Sequence, residues 1–436
     1  MAPPRPFGVV FDIDGVLLKG ETLIPGAREA VEQVGCGGGR RAPGGGAASA
    51  PLLFYFFCSQ PTAPLSPSLS TLSHHHQVRT SGAPYVFVTN QGWLDEPDRA
   101  ALLSQQLALP VSPDQVVLAH SALREEVAAI GAGLVLVTGR CRSDAAAIVR
   151  GYGFPTVHTI AEYAAAHPHL HPLKHAGGNG AGRPASADAA TPAWALQPVA
   201  AVFVIETPED WHEDLQVIVD LVRSRGGRPG DCAGGRQGAA ADGAAGPAAA
   251  SPPAQAVRLV VCNFDFVFAA EHGVPRFGPG AFFAALEALH ARATAPANGG
   301  VPAPLHVVRH GKPHPPAYVA ALRKLRLQQQ QAAGDSQPTT TPPPLTHVYA
   351  LGDNPASDVR GANAAGGPWR SVLVRTGVWA GTDPATGARA DNDGDDPAHF
   401  VCESAADAVA MIMRANGVGG DGVEAEEAGR QVAGAR

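Results

Sequence analysis

The sequence predicts an α/β fold built on a parallel sheet, and three observations carry that expectation. Short apolar runs rich in Val, Ile and Phe alternate with helical patterns along the chain, as a sheet with crossover helices requires. Acidic motifs directly follow the first such run and a late one, where loops leave the carboxyl ends of parallel strands. The length, 436 residues, is enough for two cores, since single domains usually stop growing near about 250 residues.

The elements follow in order. Phe7–Phe11 (FGVVF) reads as the first strand and residues 26–34 as a helix, with Pro25 near its start. Residues 85–89 form a second strand, followed by a helix over 98–107. A short strand at 116–118 precedes a helix that Ser121 caps and that runs to Ala129. Further strands are expected at 133–138 (GLVLVT), 200–205 (AVFVI at its heart) and 257–262 (VRLVVC), with helices at 143–151 and 210–223. Late in the chain come a strand at 305–309, a helix at 315–325 and a strand at 347–351. A helix near 357–364 and a strand at 371–374 complete the pattern.

Several stretches break this rhythm. Residues 36–84 start Gly-rich, become Pro- and Ser-rich, and end on His74, His75, His76 and Gln77. A loop of that length inside a compact unit is improbable. It reads either as a disordered surface insertion or as intron sequence carried into the reading frame. Residues 226–256 and 328–344 read as low-complexity linkers, and 416–436 as a disordered tail.

Composition narrows the function classes. The formal net charge of -7 with no basic stripe argues against nucleic acid as a partner, because phosphate backbones require clustered Lys and Arg. Six cysteines without any Cys-x-x-Cys spacing offer neither a zinc site nor a disulfide framework, and favour a reducing compartment. The longest apolar run, 52–58, is far short of the ~20 residues that a membrane-spanning helix needs. Residues 1–6 are too short for a targeting peptide, so either the protein is cytoplasmic or the chain lacks its beginning.

Four motifs carry chemistry. Phe11-Asp12-Ile13-Asp14-Gly15 follows the first strand; alternation puts Asp12 and Asp14 on one side, and Gly15 lets the backbone turn. Two carboxylates that close call for a hard cation such as Mg²⁺. The alternatives are loop acids capping a turn, or a calcium loop, whose pattern Leu17-Leu18-Lys19 breaks. Thr89-Asn90 ends the second strand and offers a hydroxyl to a phosphoryl oxygen, although such turns are common. Gly311-Lys312-Pro313 supplies an ammonium to balance the acids; a lone Lys is ordinarily a solvated surface residue. Leu351-Gly352-Asp353-Asn354-Pro355-Ala356-Ser357-Asp358 feeds two acids from a strand into the loop before a helix. That is either a Mg²⁺ site or a helix-capping pair.

The order Asp-x-Asp, Thr, Lys, Gly-Asp-x-x-x-x-Asp, each at a strand end, resembles the haloacid dehalogenase (HAD) superfamily. Phe-Asp-Ile-Asp-Gly-Val-Leu-Leu-Lys-Gly, Pro275-Arg276-Phe277-Gly278-Pro279-Gly280 and Leu351 to Val359 are similar to its class IIA, in the subfamily of the cat-eye-syndrome critical region protein 5. Asn263-Phe264-Asp265 resembles the Thr-Asn-x-Asp of that class, with Cys262 in place of Thr. Gln91 departs from the Ala or Gly of many relatives.

The resemblance implies a Rossmann-like HAD core with a large inserted α/β cap. The core would comprise 6–130 and 305–415, and the cap 131–304. It implies a Mg²⁺-dependent phosphatase in which Asp12 is the nucleophile, Asp14 the acid and base, and Thr89 and Lys312 hold the phosphoryl group. The metal set would be Asp12, Asp14 (through its carbonyl), Asp353 and Asp358, the last also orienting Lys312. Asn90, Asn263 and Asp265 are expected to bind substrate. The partner would be a small phosphorylated metabolite, with self-association through the cap. Relatives also suggest mitochondria and glycerophospholipid synthesis, if the N-terminus is truncated. A non-enzymatic scaffold on the same fold is the rival reading.

Overall fold

The computed structural model describes residues 6–35, 81–138, 144–170, 191–231, 255–334, 342–382 and 387–418. Strand β1 (Phe7–Phe11) leads into the small hairpin β2 (Leu18–Lys19) and β3 (Thr22–Leu23), then helix α1 (Ala27–Gly35). After it come β4 (Tyr85–Thr89), α2 (Glu96–Leu107) and β5 (Val116–Leu118). A second unit begins with α3 (Val127–Ile130), β6 (Leu134–Val137), α4 (Ala145–Gly151), β7 (Val157–Thr159) and α5 (Ile160–Ala166). It continues through β8 (Val199–Val204), α6 (Trp211–Arg223) and β9 (Arg258–Val261). The hairpin β10 (Val267–Phe268) and β11 (Arg276–Phe277), helix α7 (Pro279–Thr294) and β12 (Val307–Arg309) complete that unit. The chain then returns through α8 (Pro315–Gly334), β13 (His347–Gly352), α9 (Arg360–Ala365), β14 (Trp369–Val374), β15 (Phe400–Cys402) and α10 (Ala405–Ala415).

Two parallel sheets result. The first runs β15-β14-β13-β1-β4-β5 and the second β12-β9-β8-β6-β7. In the first sheet alternation sorts the core into two faces. Val9, Phe11, Phe87 and Leu351 pack against α1, α2 and α10. Val10, Val86, Val88 and Val348 face α8, through Ala317, Ala321 and Leu325. The second sheet is likewise covered on both sides, by α5, α6 and α7 on one face and α4 on the other. Because β1 lies between β13 and β4, the connections diverge there, and a crevice opens at the carboxyl ends of these strands.

The structure moves some expected boundaries. Val307 to Arg309, assigned from sequence to the second core segment, pair with Leu259 to Val261 of the second sheet, so that unit extends past residue 304. Residues 328–334, read as linker, continue α8. The Gln-Ala run has good helix propensity, and Gln328 anchors it by donating to Tyr85 O (2.9 Å) and accepting from Tyr85 N (3.1 Å). The start of the 226–256 segment is ordered as well, since Val199 N donates to Gly227 O (2.8 Å). Ser81 returns beside the end of α1, its hydroxyl donating to Val34 O (2.9 Å). The remainder of the 36–84 insertion lies outside the described residues, as do 232–254, 335–341 and the tail beyond 418. Cys262 and Cys402 are free thiols; the other four cysteines also fall outside.

Candidate active site

The first motif is positioned by pairing that outlasts β1. Asp12 N donates to Leu351 O of β13 (2.9 Å), and Ile13 O accepts from both Leu17 N and Leu18 N (2.9 Å each). Ile13 is fully buried, so the two acids face the crevice while the residue between them anchors in the core. Gly15 has φ of 83°, a left-handed conformation that a side chain would strain. A Cβ there would stand 2.1 Å from Asp353 Oδ2. Gly377 presses on the same carboxylate, where a Cβ would stand 1.8 Å away. Asp353 therefore sits in a cradle that only glycine backbones leave room for. Val378 N donates to its Oδ2 (2.6 Å).

Lys312 ties the site together. Its Nζ donates to Asp12 Oδ1 and to Asp358 Oδ1, at 2.7 Å each, and all three side chains are buried. Asp358 lies in a wide π-helical turn, Pro355–Val359, a geometry frequent at functional sites. Its second oxygen accepts from Asn354 N (3.1 Å), so both oxygens are engaged by the protein. Tyr318 OH donates to Ser357 O and Asp358 O (3.1 Å each) and braces that turn.

Asp12, Asp353 and Asp358 each offer an oxygen, all within 4.8 Å of one another. Burial pushes the Asp12 carboxyl well up; Lys312 opposes this, and Asp358 and Asp353 add repulsion. Asp353 is pushed up to about 8 by burial and by Asp358. Asp14 is raised by burial against the pull of Arg99, Lys312 and a Thr89 hydrogen bond. Burial would lower Lys312, but Asp12, Asp358 and Asp265 outweigh it and raise the ammonium. Lys312 contacts two of the three clustered carboxylates, and a hard divalent cation fits both the remaining charge and the oxygen donor set.

The expected substrate residues behave differently. Asn90 Nδ2 donates to Asp265 Oδ2 (2.9 Å) and Lys312 O (3.0 Å), while its Oδ1 accepts from Lys312 N (2.8 Å). Asn263 Nδ2 donates to Asn90 O, and its Oδ1 accepts from Asp265 N (2.8 Å each). These amides hold the seam between the two sheets and also line the cavity that contains Asp12 and Lys312. Asp265, pushed up to about 6 by burial against Lys312 and Asn90, belongs to the same knot. Thr89 Oγ1 accepts from Gln91 N (3.1 Å) and lines one cavity with Asp12, Asp14, Lys312 and Asp353. That cavity, about 160 Å³, continues between the sheets to Trp93, Glu206, Thr207 and Phe268.

Sequence reasoning missed two neighbours. Gly92 lets its loop lie flat on the second unit, where a Cβ would stand 2.0 Å from Ile205 O. Arg99 of α2 is buried, with Nε and Nη2 unpartnered among the described residues. Asp14 and Asp12 attract its charge. Nothing in the helical pattern distinguishes it from a solvated arginine.

Two family models match the chain. One, described as haloacid dehalogenase-like hydrolase, spans residues 72–155, and the other, HAD-hydrolase-like, spans 309–408 with Lys312, Asp353 and Asp358. A mitochondrial hydrolase of Saccharomyces cerevisiae is 25% identical over 380 residues, covering 85% of this chain and 87% of that protein. A cardiolipin synthase (CMP-forming)/mitochondrial hydrolase fusion protein of Schizosaccharomyces pombe is 26% identical over 321 residues, 70% of this chain but 44% of its own length. Among solved structures, a possible sugar phosphatase of the HAD superfamily from Cytophaga hutchinsonii superposes with a TM-score of 0.50 at 14% identity. The match covers 93% of this chain and 96% of that one, and is a likeness of fold.

Proposed function

We propose that the chain, matched by two models of haloacid dehalogenase-like hydrolases over residues 72–155 and 309–408, is a magnesium-dependent phosphohydrolase whose nucleophile is Asp12. The observation that carries the reading is the Lys312 ammonium bridging Asp12 and Asp358 at 2.7 Å each, at the strand ends where Thr89 and Asp353 line the same cavity.

In this reading the Asp12 carboxylate attacks phosphorus in line, and the ester P–O bond breaks as the aspartyl-phosphate forms. Asp14, whose burial favours the protonated form, gives its proton to the departing alkoxide. It then takes one from the water that attacks the same phosphorus, releasing phosphate and regenerating Asp12. Thr89 and Lys312 donate to the phosphoryl oxygens, and Asp358 keeps Lys312 in place. Magnesium, held by Asp12, Asp353 and the Asp14 carbonyl, would offset the charge on those oxygens. Asn90, Asn263 and Asp265 act as positioning residues that clamp Lys312 and close the cap, residues 131–310, over the core. A site that takes one phosphoryl group suits a small phosphate ester.

The test is phosphate release from a panel of phosphate esters with magnesium and after chelation. Magnesium-dependent turnover supports the reading. A folded, magnesium-binding protein inert on every ester would favour a scaffold role.

A narrower reading rests on the fission-yeast relative, in which a hydrolase is joined to cardiolipin synthase. It favours an ester from glycerophospholipid metabolism, in mitochondria. Organelle fractionation of the native protein checks the location.

A further inference from the structure

The catalytic cavity is polar where Asp12, Thr89 and Lys312 line it and mixed elsewhere, where Trp93, Val267 and Phe268 stand beside Glu206 and Thr207. Trp93 is 36% exposed and Phe268 37%, so both stand at the mouth, one on the loop after β4 and the other on β10. Outside the cavity lining, Phe266 (53% exposed) and Phe277 (64%) stand on the same hairpin, their rings 5.6 Å apart and edge to face. Soluble surfaces rarely keep large apolar patches without a use.

The hairpin is built to stay where it is. Gly278 N donates to Phe266 O (2.9 Å) and Gly280 N to Asp265 O (3.0 Å). A Cβ on Gly280 would stand 2.2 Å from Phe264 O. At the tip Glu271 accepts from Glu21 N on the β2–β3 turn (3.1 Å). The base of the hairpin is thereby held within its own unit, and its tip reaches the β2–β3 turn through one exposed hydrogen bond.

We propose that this mouth is a subsite for a hydrocarbon leaving group, and that the preferred substrates are phosphate monoesters of an alcohol with an alkyl chain. The inference rests on the phosphohydrolase reading. With the phosphoryl group at Asp12, the alcohol lies between Trp93 and Phe268, and a longer chain runs onto Phe266 and Phe277. Apolar contact there removes hydrocarbon from water at the moment of reaction and raises kcat/KM.

The experiment compares methyl, butyl and octyl phosphate as dissolved monomers, since their alcohols differ little in acidity. kcat/KM should rise at least about tenfold from methyl to butyl phosphate, at roughly two- to fourfold per methylene. F268A and W93A should each cut the butyl-to-methyl ratio by threefold or more, and F268L should restore most of it. A wild-type ratio within about twofold overturns the inference while leaving the phosphohydrolase reading intact, whether or not the variants fold. No turnover of any ester overturns both. A flat ratio together with a dimer that F268A dissociates would assign the patch to self-association instead.

Discussion

At the scale of single residues, the account turns on Lys312. Its ammonium is the shared partner of two buried acids, so Lys312→Met leaves Asp12 and Asp358 facing each other uncompensated. Turnover should fall by about 10²–10³-fold. Magnesium-free stability should drop by roughly 3–5 kcal/mol if both acids stayed ionised, and by less if one protonates; kinetics and denaturant melts of the same variant read both. Asp12 and Asp353 were legible in the sequence because each directly follows an apolar strand, whereas Thr89 and Lys312 gained meaning only from the order of the four motifs. Asn90 and Asn263 were legible as site residues, but the contacts that hold them were not. Their hydrogen bonds span 222 and 173 positions of the chain, and no local pattern reports such a contact. Arg99 was not legible at all, since burial of one helical arginine depends on what the rest of the fold places over it.

At the scale of elements, His120 links the two units. It is fully buried, with Nδ1 2.6 Å from Tyr152 OH of the second unit and Nε2 3.1 Å from Leu94 O of the loop after β4. In the neutral ring Nε2 donates to the carbonyl and Nδ1 accepts from the phenol. Arg124 stacks over Tyr152 at 4.5 Å and pairs with Glu96 at the start of α2. Burial lowers His120 to about 4, against Glu96, the Leu94 carbonyl and Asp95, with Arg124 adding to the lowering. A histidine depressed in the folded state binds its proton more readily once unfolded. Its contribution is therefore complete above about pH 6.5 and is lost as pH falls towards 4, on the order of 3 kcal/mol in all. The raised carboxylates of the site act in the opposite sense over the same window, so the reading is a difference: the urea-midpoint advantage of wild type over His120→Gln should be present at pH 8 and shrink as the pH falls from 6.5 towards 4. Strands β1, β4, β5, β6, β8, β9, β12, β13 and β14 were plain in the sequence as short apolar runs, whereas β7 and the hairpins β2–β3 and β10–β11, two or three residues per strand, were not. Helix α7 and the β15–α10 pair were not picked out. The α7 stretch is apolar on most sides, Phe282, Phe283 and Leu286 being buried, and a three-residue strand such as β15 leaves little periodicity to read. The end of α8 was missed because a glutamine run looks like linker until Tyr85 gives it a partner.

At the scale of the whole molecule, folding gathers a surplus of negative charge under the seam between the two sheets, and metal binding becomes coupled to stability. Millimolar magnesium should raise the melting temperature, and chelation should reverse the shift. Asp353→Asn should lose that response while melting about 1–3 °C higher than wild type without metal, because it removes a repulsion; calorimetry separates the two effects. An Asp353→Asn protein that kept the full magnesium shift would place the cation elsewhere. The most direct test of the central claim is chemical trapping of Asp12. The enzyme is quenched during turnover, reduced with borohydride and digested for peptide mass analysis. The account predicts that Asp12 alone is converted to homoserine, the reduction product of an acyl phosphate, and that Asp12→Asn shows neither the conversion nor turnover above about 10⁻³ of wild type. Sustained turnover in Asp12→Asn, or conversion of a different aspartate, would contradict it.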